Sequence, residues 1–498
     1  MALRNDCAAS SRVNRALAAS SSAVAGLCLA GQLALAAPPQ IQMPIEEQLQ
    51  PGETPSTAQG SDFINGLART NFLLGNMGGV RPFLAQYGIS LALQETSEVL
   101  GNVSGGLHQG FDYDGLTQMA LQLDTNRAFG WYGGLFDVSA LQIHGRNLSA
   151  DNLGTLQTGS GIESDRATRL WEMWYDQKFL DEDRADVKIG QQSLDQEFMV
   201  SQNALLFVNT MFGWPMVPSA DMPGGGPAYP LSALGVRGKW RPIDPVTFLV
   251  GVFDGSPVKN GVGGDPQLAD SSGTSFPLNG GALLVAEMQY SYPALGSMLY
   301  ANESESLARV YKLGFWYDTE HFNDLRFDNT GLSLGDPATT GIPQQHRGNY
   351  SIYAVADQLL WVDPEEADRT INLFARAMGT PEIDRNLIDF SLNLGMTFHE
   401  PFLHRDDDTF GVAMGLAHVS RRAAALDSDT AALNGTFNPA RTSETFIEVT
   451  YQYAVAPWLM LQPDFQYVFN PGGGIANASG TAKVGDEAVI GVRTNILF

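Results

Sequence analysis

Alternation with a period of two runs through nearly the whole chain after residue 85, and it limits the possible folds more than any other feature. Between Leu387 and Glu400, Ile388, Phe390, Leu392, Leu394, Met396 and Phe398 share one face, while Asp389, Ser391, Asn393, Gly395, Thr397 and His399 share the other. Such a strand must turn its apolar face to lipid or a core and its polar face to water. Trp171, Met173, Tyr175 and Phe179 likewise oppose Glu172, Trp174, Asp176 and Lys178. Tyr311, Leu313, Phe315 and Tyr317 oppose Lys312, Gly314, Trp316 and Asp318. Ile447, Val449, Tyr451, Tyr453 and Val455 oppose Glu448, Thr450 and Gln452, and Leu459, Leu461, Phe465 and Tyr467 oppose Met460, Gln462, Asp464 and Gln466. About sixteen such segments occur, each near the ~9–11 residues of a tilted membrane strand. They begin near Ile89, Leu116, Tyr132, Thr168, Ala185, Ser232, Val246, Gly281, Leu307, Gly348, Arg369, Leu387, Thr409, Ser443, Trp458 and Glu487.

The connections carry a second pattern. Short ones (125–131, 181–184, 242–245, 362–368, 400–408, 456–457) alternate with long ones (145–167, 193–231, 255–280, 320–347, 421–442, 470–486). Outer-membrane barrels have short periplasmic turns and long outer loops. Residues 293–306 are long for a turn, and 380–386 are short for an outer loop. Trp131, Trp240, Trp361 and Trp458 border short connections, where a lower aromatic girdle belongs. Ala488, Ile490, Val492, Thr494 and Ile496 alternate up to a C-terminal Phe498, an ending similar to the signal that barrel-assembly machinery recognises. Open sheet edges cannot be satisfied in lipid, so the strands must close. The expected fold is all-β: a transmembrane antiparallel β-barrel of about sixteen strands, with short periplasmic turns and long outer loops.

Residues 1–37 read as a signal peptide, with a basic start (Arg4, Arg12, Arg15), an Ala/Leu/Val-rich stretch and small residues at Ala34-Leu35-Ala36 or Leu35-Ala36-Ala37 for cleavage. Residues 38–69 form a polar periplasmic leader, and 70–498 the barrel. The only cysteines, Cys7 and Cys28, fall in the segment to be removed, so the mature chain has no thiol nucleophile or thiolate metal site. The charge is −25, from 29 basic and 54 acidic residues. Loss of three arginines and one aspartate with residues 1–37 takes it to −27, which argues against nucleic acid as a partner. No later run of about 18 apolar residues suggests a membrane helix.

A catalytic set does not emerge. His144, His321, His399 and His418 lie in or beside expected strands with no nearby serine elbow. The run Asp406–Asp408 lacks the spacing of a calcium loop, and Gly224–Gly226 and Gly472–Gly474 lack a phosphate loop's strand–helix context. No cofactor or metal is expected. A channel needs only a polar lumen and a constriction. The inferred lumen faces carry Lys188, Arg237, Lys239, Lys312, Arg376 and Arg493, with Glu172, Asp176, Glu287, Asp318, Asp389, Glu448 and Asp464. Mixed cations and carboxylates can hydrogen-bond several hydroxyls of a neutral polyol, and Trp174 and Trp316 offer flat platforms for a sugar ring. Connection 193–231 is the expected constriction, because Phe207, Phe212, Trp214 and Met216 would not suit an exposed loop.

Several ordered motifs resemble the carbohydrate-selective porins of the OprB type. They are Asn76-Met77-Gly78-Gly79-Val80-Arg81, Leu141-Gln142-Ile143-His144-Gly145-Arg146, Phe212-Gly213-Trp214-Pro215, Gly225-Gly226-Pro227-Ala228-Tyr229-Pro230, Tyr353-Ala354-Val355-Ala356-Asp357-Gln358, and Leu461-Gln462-Pro463-Asp464 with Asn470-Pro471-Gly472-Gly473-Gly474. The similarity runs from about residue 70 to the C-terminus. It implies a sixteen-stranded barrel, diffusion of glucose and related sugars into the periplasm, and an arginine-bearing constriction. The first motif usually reads Gly-Asp-Trp-Gly-Gly-Leu-Arg; Asn76 and Met77 replace Asp and Trp here, and Arg81 is retained. The candidate sugar-binding residues are Glu172, Trp174, Arg237, Trp316, Asp318, Arg376, Asp464 and Arg493, with Arg81 added by the resemblance. The expected partners are small sugars, outer-membrane lipid and, through Phe498, the assembly machinery. The alternatives are a general porin with little sugar preference and a barrel enzyme or adhesion scaffold.

Overall fold

Every strand pairs antiparallel with its neighbours in sequence, and the last returns to the first. In order they are β1 (Ile89–Ser104), β2 (Gly110–Asp124), β3 (Gly134–Gly145), β4 (Ala167–Phe179), β5 (Ala185–Gln192), β6 (Ala233–Ile243), β7 (Val246–Asp254) and β8 (Ala282–Tyr292). The second half comprises β9 (Arg309–Asp328), β10 (Pro343–Val362), β11 (Thr370–Gly379), β12 (Ile388–His399), β13 (Thr409–Val419), β14 (Ser443–Ala456), β15 (Leu459–Phe469) and β16 (Glu487–Leu497). The computed structural model describes residues 70–259, 265–278, 280–292, 308–366, 368–402 and 405–498. The expected signal peptide and leader lie outside the described residues, as does connection 293–306.

Closure follows from the register: Gln94 of β1 lies opposite Gln118 of β2 on one side and Leu497 of β16 on the other. The sheet therefore has no free edge, the condition lipid imposes. Among the described residues no helix is long and apolar enough to cross a membrane. The alternation resolves as expected. Val99, Met119, Leu313, Phe315, Phe465 and Val492 are exposed on the outside, while Gln94, Thr96, Glu98, Trp316, Gln462 and Arg493 are buried inside. Trp131, Trp240 and Trp361 are exposed beside short connections.

Two bulges move residues off their expected faces. Val138 pairs with Met173 but Ala140 with Leu170, so two residues of β4 oppose one of β3. Trp171, expected on the lipid face with Met173, is instead buried inside, where it meets the Tyr229 ring edge-on at 6.4 Å. In β12 the register shifts between Ile388 and Phe390. Ile388, expected outside, is fully buried, and Asp389, expected in the lumen, lies 2.6 Å from Nδ1 of the partly exposed His418. Half of connection 320–347 is also strand, because β9 and β10 run on beyond their neighbours. Arg326 on this extension pairs with Asp429 (2.7 Å) of the helix Arg421–Asn434, which occupies connection 421–442.

Candidate functional site

Connection 193–231, the inner loop, folds against the inside of the wall. Phe198, Phe207, Phe212, Trp214 and Met216 cluster with wall residues Leu249, Phe253, Trp316, Tyr353, Phe374 and Phe446. Phe212 meets Phe207 at 4.7 Å, Phe446 at 5.4 Å and Phe374 at 5.8 Å between ring centroids. Each such side chain gains about 1.5–3 kcal/mol by leaving water. Gly411 of β13 makes this approach possible, since a Cβ there would lie 2.5 Å from Leu206 and 2.8 Å from Phe207.

The loop pairs only part of its backbone internally, in short turns such as Thr210–Phe212 and the helix Met216–Asp221, so other groups must take the rest. Wall carboxylates accept its N–H groups. Glu448 takes those of Val208 (2.5 Å) and Asn209 (3.0 Å), Glu287 that of Met199 (2.9 Å), and Glu172 that of Ser193 (2.8 Å). Asp357 accepts from the Ser201 hydroxyl at 2.5 Å and from Asn203 N–H at 3.3 Å. Wall donors take its carbonyls: Lys312 to Val200 (2.7 Å) and Gln462 to Leu206 (2.7 Å). Arg376 donates to the carbonyls of Met199 (2.9 Å), Gly213 (2.8 Å) and Met211, and to Oδ1 of Asn393. Within the loop, burial pushes the Asp195 carboxyl up, against hydrogen bonds from Ser193, Tyr229 and Gln196.

The apolar cluster rests chiefly on β7 to β14. The remaining wall, β15, β16 and β1 to β6, carries many buried polar side chains beside two smaller apolar patches, Leu100 with Val489 and Leu116 with Leu141, Ile143 and Trp171. There Arg237 pairs with Asp186 and with Glu197 (2.6 Å), and lies 3.8 Å from Asp176. Glu197 belongs to the inner loop and also pairs with Lys188, whose ammonium stands 4.2 Å above the Trp174 ring. Arg493 pairs with Glu98 of β1, and Asp464 accepts from Gln466 (3.0 Å). Several buried polar atoms on this wall have no hydrogen-bond partner: both amide termini of Gln94 and Gln118, Glu98 Oε2, Trp174 Nε1, Asp176 Oδ1, Asp464 Oδ2 and Arg493 Nη1.

The candidate residues thus separate into groups. Glu172, Trp174 and Arg237 come together on β4–β6, and Asp464 and Arg493 on β15–β16. Trp316 is fully buried in the apolar cluster, and Asp318 accepts the Glu320 N–H at 2.8 Å. Arg376 is consumed in holding the inner loop. Arg81 stands at the seam of the barrel, away from the others. Its guanidinium donates to the Gly75 carbonyl (2.6 Å) and to the terminal oxygen of Phe498, and it lies 4.1 Å over the Phe72 ring. Gln94, Glu98 and Gln118 of the polar wall, and Glu197 of the inner loop against it, were not singled out in the sequence. The alternation of β1 and β2 could have yielded the first three.

Over residues 108–498 the chain matches the carbohydrate-selective porin, OprB family. It is 26% identical to Porin B of Pseudomonas aeruginosa over 447 residues, covering 86% of this chain and 92% of that one. It is 22% identical to the putative porin QuiX of Acinetobacter baylyi, with 86% and 93% covered. The high-pH structure of Pseudomonas putida OprB superposes with a TM-score of 0.72 at 23% identity, covering 86% of this chain and 99% of that structure, a likeness of fold. The motifs, the closed sixteen-stranded barrel and the match over most of the sequence lead to one conclusion: the chain belongs to the OprB family of carbohydrate-selective porins, channels of the outer membrane.

Proposed function

We propose that glucose and related sugars diffuse between the inner loop and the polar wall of β15, β16 and β1 to β6, passively and without catalysis. The observation that carries this reading is the row of buried, unpartnered donors and acceptors on that wall. Buried polar groups require partners, and water and sugar hydroxyls moving along the lumen supply them in turn. A channel must bind strongly enough to admit and weakly enough to release. An affinity near ~1 mM corresponds to about −4 kcal/mol, within reach of one ring contact and one or two hydroxyl contacts.

Trp174 supplies the ring contact in this reading, with its unpartnered N–H at the edge. Glu172, Arg237, Asp464 and Arg493 supply donors and acceptors or hold those that do. Trp316 and Arg376 support the inner loop, and Arg81 supports the seam. Outer-membrane lipid contacts the exposed apolar face, and Phe498 is the handle for the assembly machinery. Glucose titration of single-channel conductance tests the reading. Trp174→Ala should raise the half-blocking glucose concentration about tenfold, the equivalent of one contact of ~1.4 kcal/mol. A parent channel indifferent to glucose would make it a general porin, and an unaltered block in Trp174→Ala would remove the platform.

A further inference from the structure

Above the constriction, a second cavity of about 290 Å³ opens at the outer mouth. Three elements wall it: the end of the inner loop, the β9 extension and the β11–β12 connection. Its volume is at the low end of ligand pockets, which begin near ~300 Å³, so it suits one sugar ring rather than a chain. It shares no residue with the polar wall described above.

The lining is that of a built site. Asp221, 6% exposed, spends Oδ1 on the N–H groups of Leu387 (2.7 Å) and Ile388 (3.3 Å), while its Oδ2 has no partner. Burial holds this carboxyl well above the ordinary carboxylate range. Asn323 takes the Gln345 amide on its oxygen (2.6 Å), which leaves its own NH2 to donate. Glu320 and His321 line the same space, and Leu325, on the strand face of Asn323, adds an apolar surface with Leu387. A bulge presents these residues: Asp318 pairs with Asn349 and His321 with Arg347, so Thr319 and Glu320 oppose Gly348 alone. Arg385 also lines the cavity, but its guanidinium is engaged by Asp384 (2.8 Å), Glu382 (2.8 Å) and the Gly348 carbonyl (2.5 Å). With its arginine already engaged, the described residues of the lining offer an anion no free cation. A carboxyl, an amide donor and an apolar surface suit a neutral polyol.

We propose that this cavity is an outer capture subsite for a neutral pyranose, loaded before the sugar enters the lumen. The proposal rests on the carbohydrate-channel reading above and adds a step to it. Hydroxyls engage Asp221 and Asn323, the ring lies toward Leu325 and Leu387, and the sugar then passes the end of the inner loop.

The test uses the full-length protein in planar bilayers, with the long loops facing a known chamber and glucose added to one chamber at a time. Current noise gives the association rate from each side. Asn323→Ala should lower the rate from the loop side about five- to tenfold, as loss of roughly one hydrogen bond implies, and leave the rate from the turn side unchanged. Asp221→Asn should act in the same direction. Since it also disturbs the hold on β12, Asn323→Ala decides the matter if that variant fails to fold. Unchanged loop-side rates in a parent that responds to glucose would overturn the capture subsite alone, as would an equal fall from both sides. A conducting parent that never responds to glucose would overturn the sugar reading and the subsite with it.

Discussion

Replacing Arg376 by alanine should release the inner loop from the wall. The guanidinium is 1% exposed and donates to three loop carbonyls, those of Met199, Met211 and Gly213, as well as to Asn393. Hydrogen bonds from a charged donor contribute about 1.5–3 kcal/mol each, so three give an upper figure of roughly 4.5–9 kcal/mol. Such bonds are not additive, and removing the charge recovers its desolvation cost. The carbonyls left without a donor cost about 1–3 kcal/mol each, and with partial rehydration we expect a net loss of about 3–5 kcal/mol. At about 1.4 kcal/mol per factor of ten, the ratio of docked to released loop falls by roughly 150- to 4,000-fold. The Phe207–Phe212 cluster still favours docking, so the loop should flicker rather than leave. Single-channel recordings of Arg376→Ala should show brief excursions to higher conductance that the parent lacks. Arg376→Lys should show fewer, because an ammonium keeps the charge without the planar fork. A folded Arg376→Ala with parental conductance and noise would refute the reasoning and show that the apolar cluster and the other wall hydrogen bonds suffice as anchors.

Arg81→Ala should weaken the seam by about 2–3 kcal/mol, since it removes charged hydrogen bonds to Gly75 and to the chain terminus. The barrel should then lose its fast-migrating form in detergent at a lower temperature with glucose block unaltered; altered block at an unchanged transition would return Arg81 to the lumen. The hydrogen-bonded pair with Arg326 holds the Asp429 carboxyl below its ordinary range. A depressed carboxylate stabilises fully above its unfolded value near ~3.9 and loses that contribution as pH falls through the folded value. Protease cleavage of 421–442 should therefore rise as the pH falls below about 4 in the parent. In Asp429→Asn it should be raised already at neutral pH, and a parent profile flat across that window would dismiss the tie.

The strand plan was legible because lipid on one side and water on the other force a period of two, and most expected starts lie close to the observed ones. The bulges at Trp171–Glu172 and Ile388–Asp389 were not legible. An extra residue in one strand shows only against its partner's register. The polar side chains facing the lumen were also largely apparent. What they do there was hidden, because it depends on a loop distant in sequence. Glu448 is 240 residues from the Val208 N–H it accepts, and Arg376 is 163 from the Gly213 carbonyl it holds. Trp316 illustrates the same point: its inward face was readable, but the loop that covers it was not.

That hidden use of charge bears on selectivity. On the polar wall Arg237 lies against Asp186 and Glu197, Lys188 against Glu197, and Arg493 against Glu98. At separations well beyond a hydrogen bond the fields of such pairs largely cancel, so an ion approaching the constriction meets little net attraction from these particular groups. A hydroxyl at contact distance meets something different, because each oxygen or N–H presents its own dipole there. The buried atoms without a hydrogen bond, Glu98 Oε2, Asp176 Oδ1 and Arg493 Nη1, are the ones to which the proposed sugar path assigns that contact. A wall of paired charges thus favours neutral polyols through short-range contacts, while the overall acidity of the chain, much of it outside this wall, need not set the preference of the pore.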